Sequence, residues 1–119
     1  MLKLKRIYDL PDAGDGERIL VERLWPRGVT RERARLASWE RDLAPSPALR
    51  QWYGHAIDRW HEFRERYEEE LAAPDKQGAL RSLAARVAAG TVTLVFAASD
   101  PQHCSALVLK EWLERRFSA

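Results

Sequence analysis

Thr91-Val92-Thr93-Leu94-Val95-Phe96-Ala97 decides the fold. The run is short, rich in β-branched residues and apolar on both faces, the pattern of a buried central strand rather than a helical turn. A second run, Arg18-Ile19-Leu20-Val21-Glu22-Arg23-Leu24-Trp25, is also apolar on both faces, and Pro26 and Gly28 end it. Near the start of the chain, Leu2 to Tyr8 opens with alternating apolar and basic residues and reads as an exposed or edge strand whose lysines discourage edge-to-edge pairing. Residues 11–17 form a loop.

Helical signals fill the rest. Thr30 is placed to cap a helix carrying Leu36, Trp39 and Leu43 as far as Pro45. Ser46-Pro47 supplies a capping serine and a first-turn proline for a short helix with Leu49, Trp52 and Tyr53, closed by Gly54. Asp58 heads a helix in which Trp60, Phe63, Tyr67 and Leu71 recur at helical spacing, and Leu80, Leu83, Ala84 and Val87 mark another that ends at Gly90. After the decisive strand, Asp100-Pro101 offers a cap and first residue for a last helix with Leu107, Val108, Trp112 and Leu113. Three strands separated by long helical stretches predict an α/β fold: a small, mostly parallel sheet with helices packed on its faces, one Rossmann-like domain over residues 1–119.

Composition narrows the class. With 119 residues and 45% apolar content there is material for one core and not comfortably for two. No apolar run approaches the roughly 20 residues a membrane span requires, and Met1 to Arg6 lacks a signal-peptide core, so a cytoplasmic protein is expected. Cys104 is the sole cysteine, which excludes an internal disulfide and suits a reducing compartment. The net charge of +2 hides an asymmetry. Residues 18–41 carry seven arginines against three glutamates, while residues 58–75 carry seven acids against three arginines. Both segments read first as solvated faces that partly pair, and second as a basic surface facing a ligand.

In open α/β sheets, ligands collect beyond the carboxyl ends of the strands, where loops lead into helix N-termini. Two loops qualify: Trp25-Pro26-Arg27-Gly28, and Ser99-Asp100-Pro101-Gln102-His103-Cys104. If their strands run in the same direction, Arg23 and Arg27 share a crevice with His103, Cys104 and the positive end of the last helix, an arrangement that suits phosphate or carboxylate. Cys104 ranks below Glu22 and His103 as a reactive group, because its neighbours supply no complete activating set. His55 and His61 do not stand at metal-ligand spacing with His103 or Cys104, so no metal is expected, and Asp12-Ala13-Gly14-Asp15-Gly16 is too acidic for a phosphate loop.

The stretch Ile19-Leu20-Val21-Glu22-Arg23-Leu24-Trp25-Pro26-Arg27-Gly28 resembles the signature of the bacterial YeaO-like family, within domain of unknown function 488. The resemblance extends through Trp39, Asp42, Ala44-Pro45-Ser46, Leu49-Arg50, Trp52 and His55, then Trp60, Phe63 and Arg66-Tyr67. It closes with Thr93 to Asp100, His103, and Ala106 to Leu109. It implies an α/β fold and a pocket at these loops, and brings no activity, substrate or cofactor with it. The YeaO-like pattern generally has asparagine where Cys104 stands, and another branch of the superfamily carries Cys-His-Arg where this chain continues Cys104-Ser105-Ala106, so the resemblance assigns the thiol no role.

The expected function is binding of a small anionic, phosphate-bearing ligand without a cofactor, through Arg23, Trp25, Arg27, His55, Asp100 and His103. Whether the protein is an enzyme stays open; if it is, Glu22 or His103 serves as the general acid or base. A second reading makes the arginine-rich segment 27–41, with Trp25 and Trp39, a nucleic-acid or regulatory binding module, and a third is a structural or assembly role. Oligomeric state is not legible.

Overall fold

A computed structural model describes residues 1–117. Among the described residues, β1 (Leu2–Arg6), β2 (Glu17–Leu20), β3 (Ser38–Trp39) and β4 (Val92–Phe96) form one all-parallel sheet in the order β1-β4-β2-β3. Five α-helices accompany it: α1 (Arg31–Ala34), α2 (Pro47–Tyr53), α3 (Trp60–Leu71), α4 (Gln77–Ala89) and α5 (Ser105–Phe117). The α/β class with a parallel sheet therefore holds, and β1 lies at an edge as its lysines predict. Every residue of β4 is buried, because β1 and β2 flank it and both of its faces are covered.

The pleat sorts the core into two layers. Ile19, Val21, Val92, Leu94 and Phe96 face the larger one, where they meet Phe63, Tyr67, Leu80, Val108, Leu109 and other side chains of α2 to α5. Leu20 and Val95 face the thinner layer, packed with Ile7, Ala34, Trp25, Val29, Leu36 and Trp39. Arg18, buried on the strand at the margin of that layer, donates from Nε to the Ala34 carbonyl at 2.9 Å and from Nη1 to Asp15 at 2.7 Å. Lys5 reaches the same carboxylate at 3.0 Å. Burial alone would raise the Asp15 pKa, but the Lys5 hydrogen bond, the Asp12 amide and Arg18 outweigh it and hold the group below its ordinary value.

Local signals succeed where nothing competes with them. Ser46 caps α2, its Oγ accepting from the Leu49 amide at 3.2 Å, Pro47 opens the helix, and Gly54 closes it at φ 52°. Four expectations are corrected. Thr30 does cap a helix, but that helix ends at Ala34: Arg35 turns left-handed (φ 48°) and Ser38–Trp39 becomes a strand, not a continuation toward Leu43. The cause is tertiary. Bonds from the Ala37 amide to Arg18 O (2.7 Å) and from the Glu40 amide to Leu20 O (2.8 Å) extend the sheet and outweigh the helical spacing of Leu36, Trp39 and Leu43.

Asp58 sits inside a single 3₁₀ turn, Ile57–Arg59, and α3 begins at Trp60 without a side-chain cap. Asp100 does not cap the last helix either, for α5 starts at Ser105 and the Asp100 carboxylate closes a local turn by accepting from the Gln102 amide at 2.9 Å. The second strand is also shorter than the apolar run, since the chain leaves the sheet after Leu20.

Gly16 fixes the approach to β2. Its φ of 63° is a glycine conformation, and a Cβ there would lie 2.1 Å from the Thr91 carbonyl oxygen, which accepts the Glu17 amide at 3.0 Å as the sheet begins. Gly16→Ala is expected to cost about 2 kcal/mol or more, because both the backbone conformation and the contact must give way. Urea denaturation of the two proteins measures this, and an unchanged midpoint would contradict the account.

Candidate functional site

The site begins where two adjacent strands part. Beyond the paired segment, the Val21 amide still donates to Val95 O at 3.1 Å; the next link is made by a side chain, the Glu22 carboxylate accepting from the Ala97 amide at 2.9 Å. After Glu22 the chain passes to the thinner layer through Trp25 and Val29, whereas after Ala98 it leads into α5 and the larger layer. Neighbouring parallel strands whose continuations leave for opposite faces open a crevice at their carboxyl ends. A cavity of about 660 Å³ lies there.

Its wall combines the chain just beyond β2, the connection from β4 into α5, and α2. Glu22, Arg23 and Leu24 come from the end of β2; Ala97, Ala98, His103, Cys104 and Ser105 from the connection into α5; and Arg50, Tyr53 and His55 from α2 and its C-terminal end. Arg50 and Tyr53 stand three residues apart, so the helix started by Ser46-Pro47 presents them side by side. His55 follows Gly54 and is itself left-handed, at φ 60°, a conformation that non-glycine residues adopt rarely and that often marks functional positions.

Most of these polar groups have definite partners. Arg23 donates from Nη2 to Ala44 O at 2.9 Å and to Pro45 O at 3.3 Å, and its Nη1 lies 3.5 Å from Asp42; its Nε is buried without a partner. His103 places Nδ1 2.7 Å from an Asp100 oxygen and rests its ring edge-on against Trp60, with centroids 5.3 Å apart. Tyr53 Oη donates to the His103 carbonyl at 3.2 Å, which ties α2 to the loop before α5. Arg50 is exposed, and no side-chain bond or ion pair engages it among the described residues. It is the uncommitted cation on the wall.

The titrating groups are pushed in different directions. Burial raises the Glu22 pKa, against the opposing effects of the Ala97 amide and the charges of Arg50 and His55. The Gln102 amide and His103 hold the Asp100 carboxyl below its ordinary value, favouring the ionised form beside the imidazole. Burial pushes the Cys104 thiol up; the amides of Leu107 and Ala106 oppose that, while Glu22 and Asp100 add to it. With Sγ 3.6 Å from Pro101 O, Cys104 is a buried thiol at the start of α5 and not an activated thiolate.

The structure thus brings Glu22, Arg23, His55, His103 and Cys104 to one cavity, with Asp100 directly behind His103. Trp25 and Arg27 do not line it. Trp25 donates from Nε1 to Val29 O at 2.7 Å and packs on Trp39 in the thinner layer, while Arg27 is exposed and its carbonyl accepts from Tyr8 Oη at 3.1 Å. Arg50 and Tyr53 are the additions that sequence reasoning passed over. Their signal was present in the strongly marked start of α2, which fixes which helix positions face the same way.

A carboxylate whose pKa is higher in the folded than in the unfolded chain binds more protons when folded. Its contribution to stability is greatest at low pH and falls as pH rises from the ordinary glutamate range through the raised value. Glu22→Gln keeps an oxygen for the Ala97 amide and removes this ionisation. Relative to the wild type, the variant is expected to gain stability as pH climbs from the ordinary glutamate range through the raised value. Urea melts of both proteins across that range test the sign, and parallel curves would refute it.

Over residues 1–119 the chain matches a family model described as the inactive DUF488-N3 subclade. It is 38% identical to the uncharacterised protein YeaO of Escherichia coli K12 over 113 residues, covering 94% of this chain and 96% of YeaO. An uncharacterised protein of Mycobacterium tuberculosis H37Rv and one of Mycobacterium bovis are each 38% identical over 115 residues, covering 97% of this chain and 95% of theirs. No solved structure matches the chain. These matches agree with the resemblance carried by residues 19–28 and the later blocks, and the chain belongs to the YeaO-like DUF488 family, in its inactive DUF488-N3 subclade.

Proposed function

We propose that the cavity binds a small anionic ligand, phosphate-bearing, and holds it without covalent chemistry. One observation carries the reading: Arg23, Arg50, His55 and His103 line a single crevice together with the residue that begins α5, at the carboxyl ends of two parallel strands. The volume, about 660 Å³, suits a metabolite-sized ligand. Arg50 supplies a free guanidinium for bidentate contact, and with Asp100 engaging His103 at Nδ1, Nε2 serves the ligand as a donor when the ring is an imidazolium, or as an acceptor from a phosphate P–OH when it is neutral. Arg23 acts mainly through its charge and through the loop it fastens, since the 44–45 carbonyls occupy one of its nitrogens.

Glu22 does not defeat an anion site. One of its carboxylate oxygens is taken by the Ala97 amide, and the charges of Arg50 and His55 oppose its own across the cavity. The buried, electronically disfavoured Cys104 argues against a covalent intermediate, and the description of the matching subclade as inactive agrees with binding without turnover.

Inorganic phosphate titrated into the protein, with succinate in parallel, tests the reading. Phosphate is expected to raise the thermal midpoint and to move the imidazole resonances of His55 and His103 more than succinate does. Arg50→Ala should weaken the apparent affinity about tenfold, the loss of one charge-assisted contact, and Arg27→Ala should leave it unchanged. An apparent affinity unchanged by Arg50→Ala, or no response to either anion, rejects the site. The native thiol should also alkylate with iodoacetamide at least about tenfold more slowly than in urea, while Cys104→Ser keeps the phosphate response. Rapid native alkylation would restore the thiol as a candidate nucleophile.

A further inference from the structure

The back of the sheet carries a second set of cations, separate from the cavity. Arg27, Arg31, Arg33, Arg35 and Arg41 are all exposed, and none of them makes an ion pair among the described residues. Elsewhere Arg64, Arg66, Arg86 and Arg115 each meet a glutamate; Arg50, Arg59, Arg81 and Arg116 are exposed without an ion pair among the described residues, but they stand on four different elements instead of one short segment. Between Arg27 and Arg35 the only acid is Glu32. Four guanidinium groups within nine residues repel one another, and leaving them without counter-charges costs stability that an outside polyanion would offset.

The segment is also held in shape. Trp25 bonds Val29 O at 2.7 Å, Trp39 bonds Glu22 O at 2.6 Å, and Arg18 bonds Ala34 O at 2.9 Å. The two indoles meet edge to face with centroids 5.5 Å apart. Arg31 lies 4.7 Å from the Trp25 ring centroid and Arg41 4.0 Å from that of Trp39, so two of the five guanidinium groups rest over an aromatic base. We infer that this arginine segment is a docking surface for single-stranded nucleic acid.

Chemistry selects that partner. Guanidinium planes fixed on indoles can pair with phosphate oxygens and stack against unpaired bases, which is how single strands are gripped without sequence readout. A membrane surface would need apolar side chains to bury, but Val29 and Leu36 are turned into the core. A duplex groove would need a longer element than the four-residue α1. The inference does not rest on the cavity reading, since none of these five arginines lines the cavity.

Fluorescence anisotropy with a labelled oligouridylate of about twelve nucleotides is the test. The full chain should bind it, with affinity falling linearly against salt on logarithmic axes. The combined Arg31→Glu, Arg33→Glu, Arg35→Glu variant should bind at least tenfold more weakly, with a slope shallower by about 2, three phosphate contacts at roughly 0.7 each. The pair Arg27→Glu, Arg33→Glu, whose side chains bond nothing in the fold, should show a smaller loss of the same kind and guards against a folding artefact. Arg50→Ala should bind as the wild type does. The inference is overturned if the wild type fails to bind at low salt, if affinity is lost with Arg50→Ala and kept in the triple variant, or if the protein instead binds vesicles containing about one third phosphatidylserine and ignores the oligonucleotide.

Discussion

The carboxylate of Glu22 on the amide of Ala97 is the contact around which the molecule is arranged. Up to Val21 and Val95, β2 and β4 are joined backbone to backbone; one residue later a side chain has taken over, and the two chains separate to opposite faces. Without a partner at that point the Ala97 amide would be left partly buried and unsatisfied, at a cost of about 1–3 kcal/mol. Glu22 also receives the Trp39 indole on its carbonyl, so one residue joins the floor of the cavity to the layer behind the sheet. Strand parting, cavity and back-face packing therefore share a support.

Placing a carboxylate there constrains everything around it. Arg50 and His55 temper its charge across the cavity, and Arg23 is tethered to the 44–45 carbonyls beside it. The same carboxylate, with Asp100, pushes the Cys104 thiol further from ionisation than burial alone does. A site of this design is poor at making a nucleophile, and the cations around it are Arg23, Arg50 and the two imidazoles of His55 and His103. The position of Asp100 fits that view: it fixes one nitrogen of His103 and caps a local turn, and so sets the rim instead of standing in the cavity.

Where the sequence speaks clearly, it does so through residues whose effect is local. The β-branched run 91–97 contains its own reason to be a strand, and Ser46, Pro47 and Gly54 contain theirs for α2. Residues 36–43 carry helical spacing, yet Ser38–Trp39 is drawn into the sheet by bonds to Arg18 and Leu20, partners some twenty residues away that no local pattern displays. The Asp100-Pro101 pair misleads because an aspartate closing a turn and an aspartate capping a helix use the same side-chain acceptor. What was legible is that parallel strands put both connections at their carboxyl ends; of the first loop, no residue from Trp25 to Gly28 lines the cavity, whereas Glu22 to Leu24 just before it do. Which side each chain takes was not: Gly28 turns at φ 77° and Arg27 goes with the back face, while Arg50, outwardly an ordinary helix-surface arginine, goes to the cavity.

The back face adds a consequence of its own. Buried ion pairs contribute little net stability, and Arg18 keeps one nitrogen without a partner, which makes the Arg18–Asp15 pair still harder to explain as a stabilising device. Its geometry offers another account. By bonding Ala34 O from within the sheet, Arg18 pins the end of α1, and with it the turn at Arg35, against β2. A hydrophobic residue at position 18 would fill space equally well and would let that segment shift. The buried charge is best understood as a fastener for the backbone of residues 31–35, from which the exposed arginines project, a tether that the front of the sheet, with its thick helical layer, does not need.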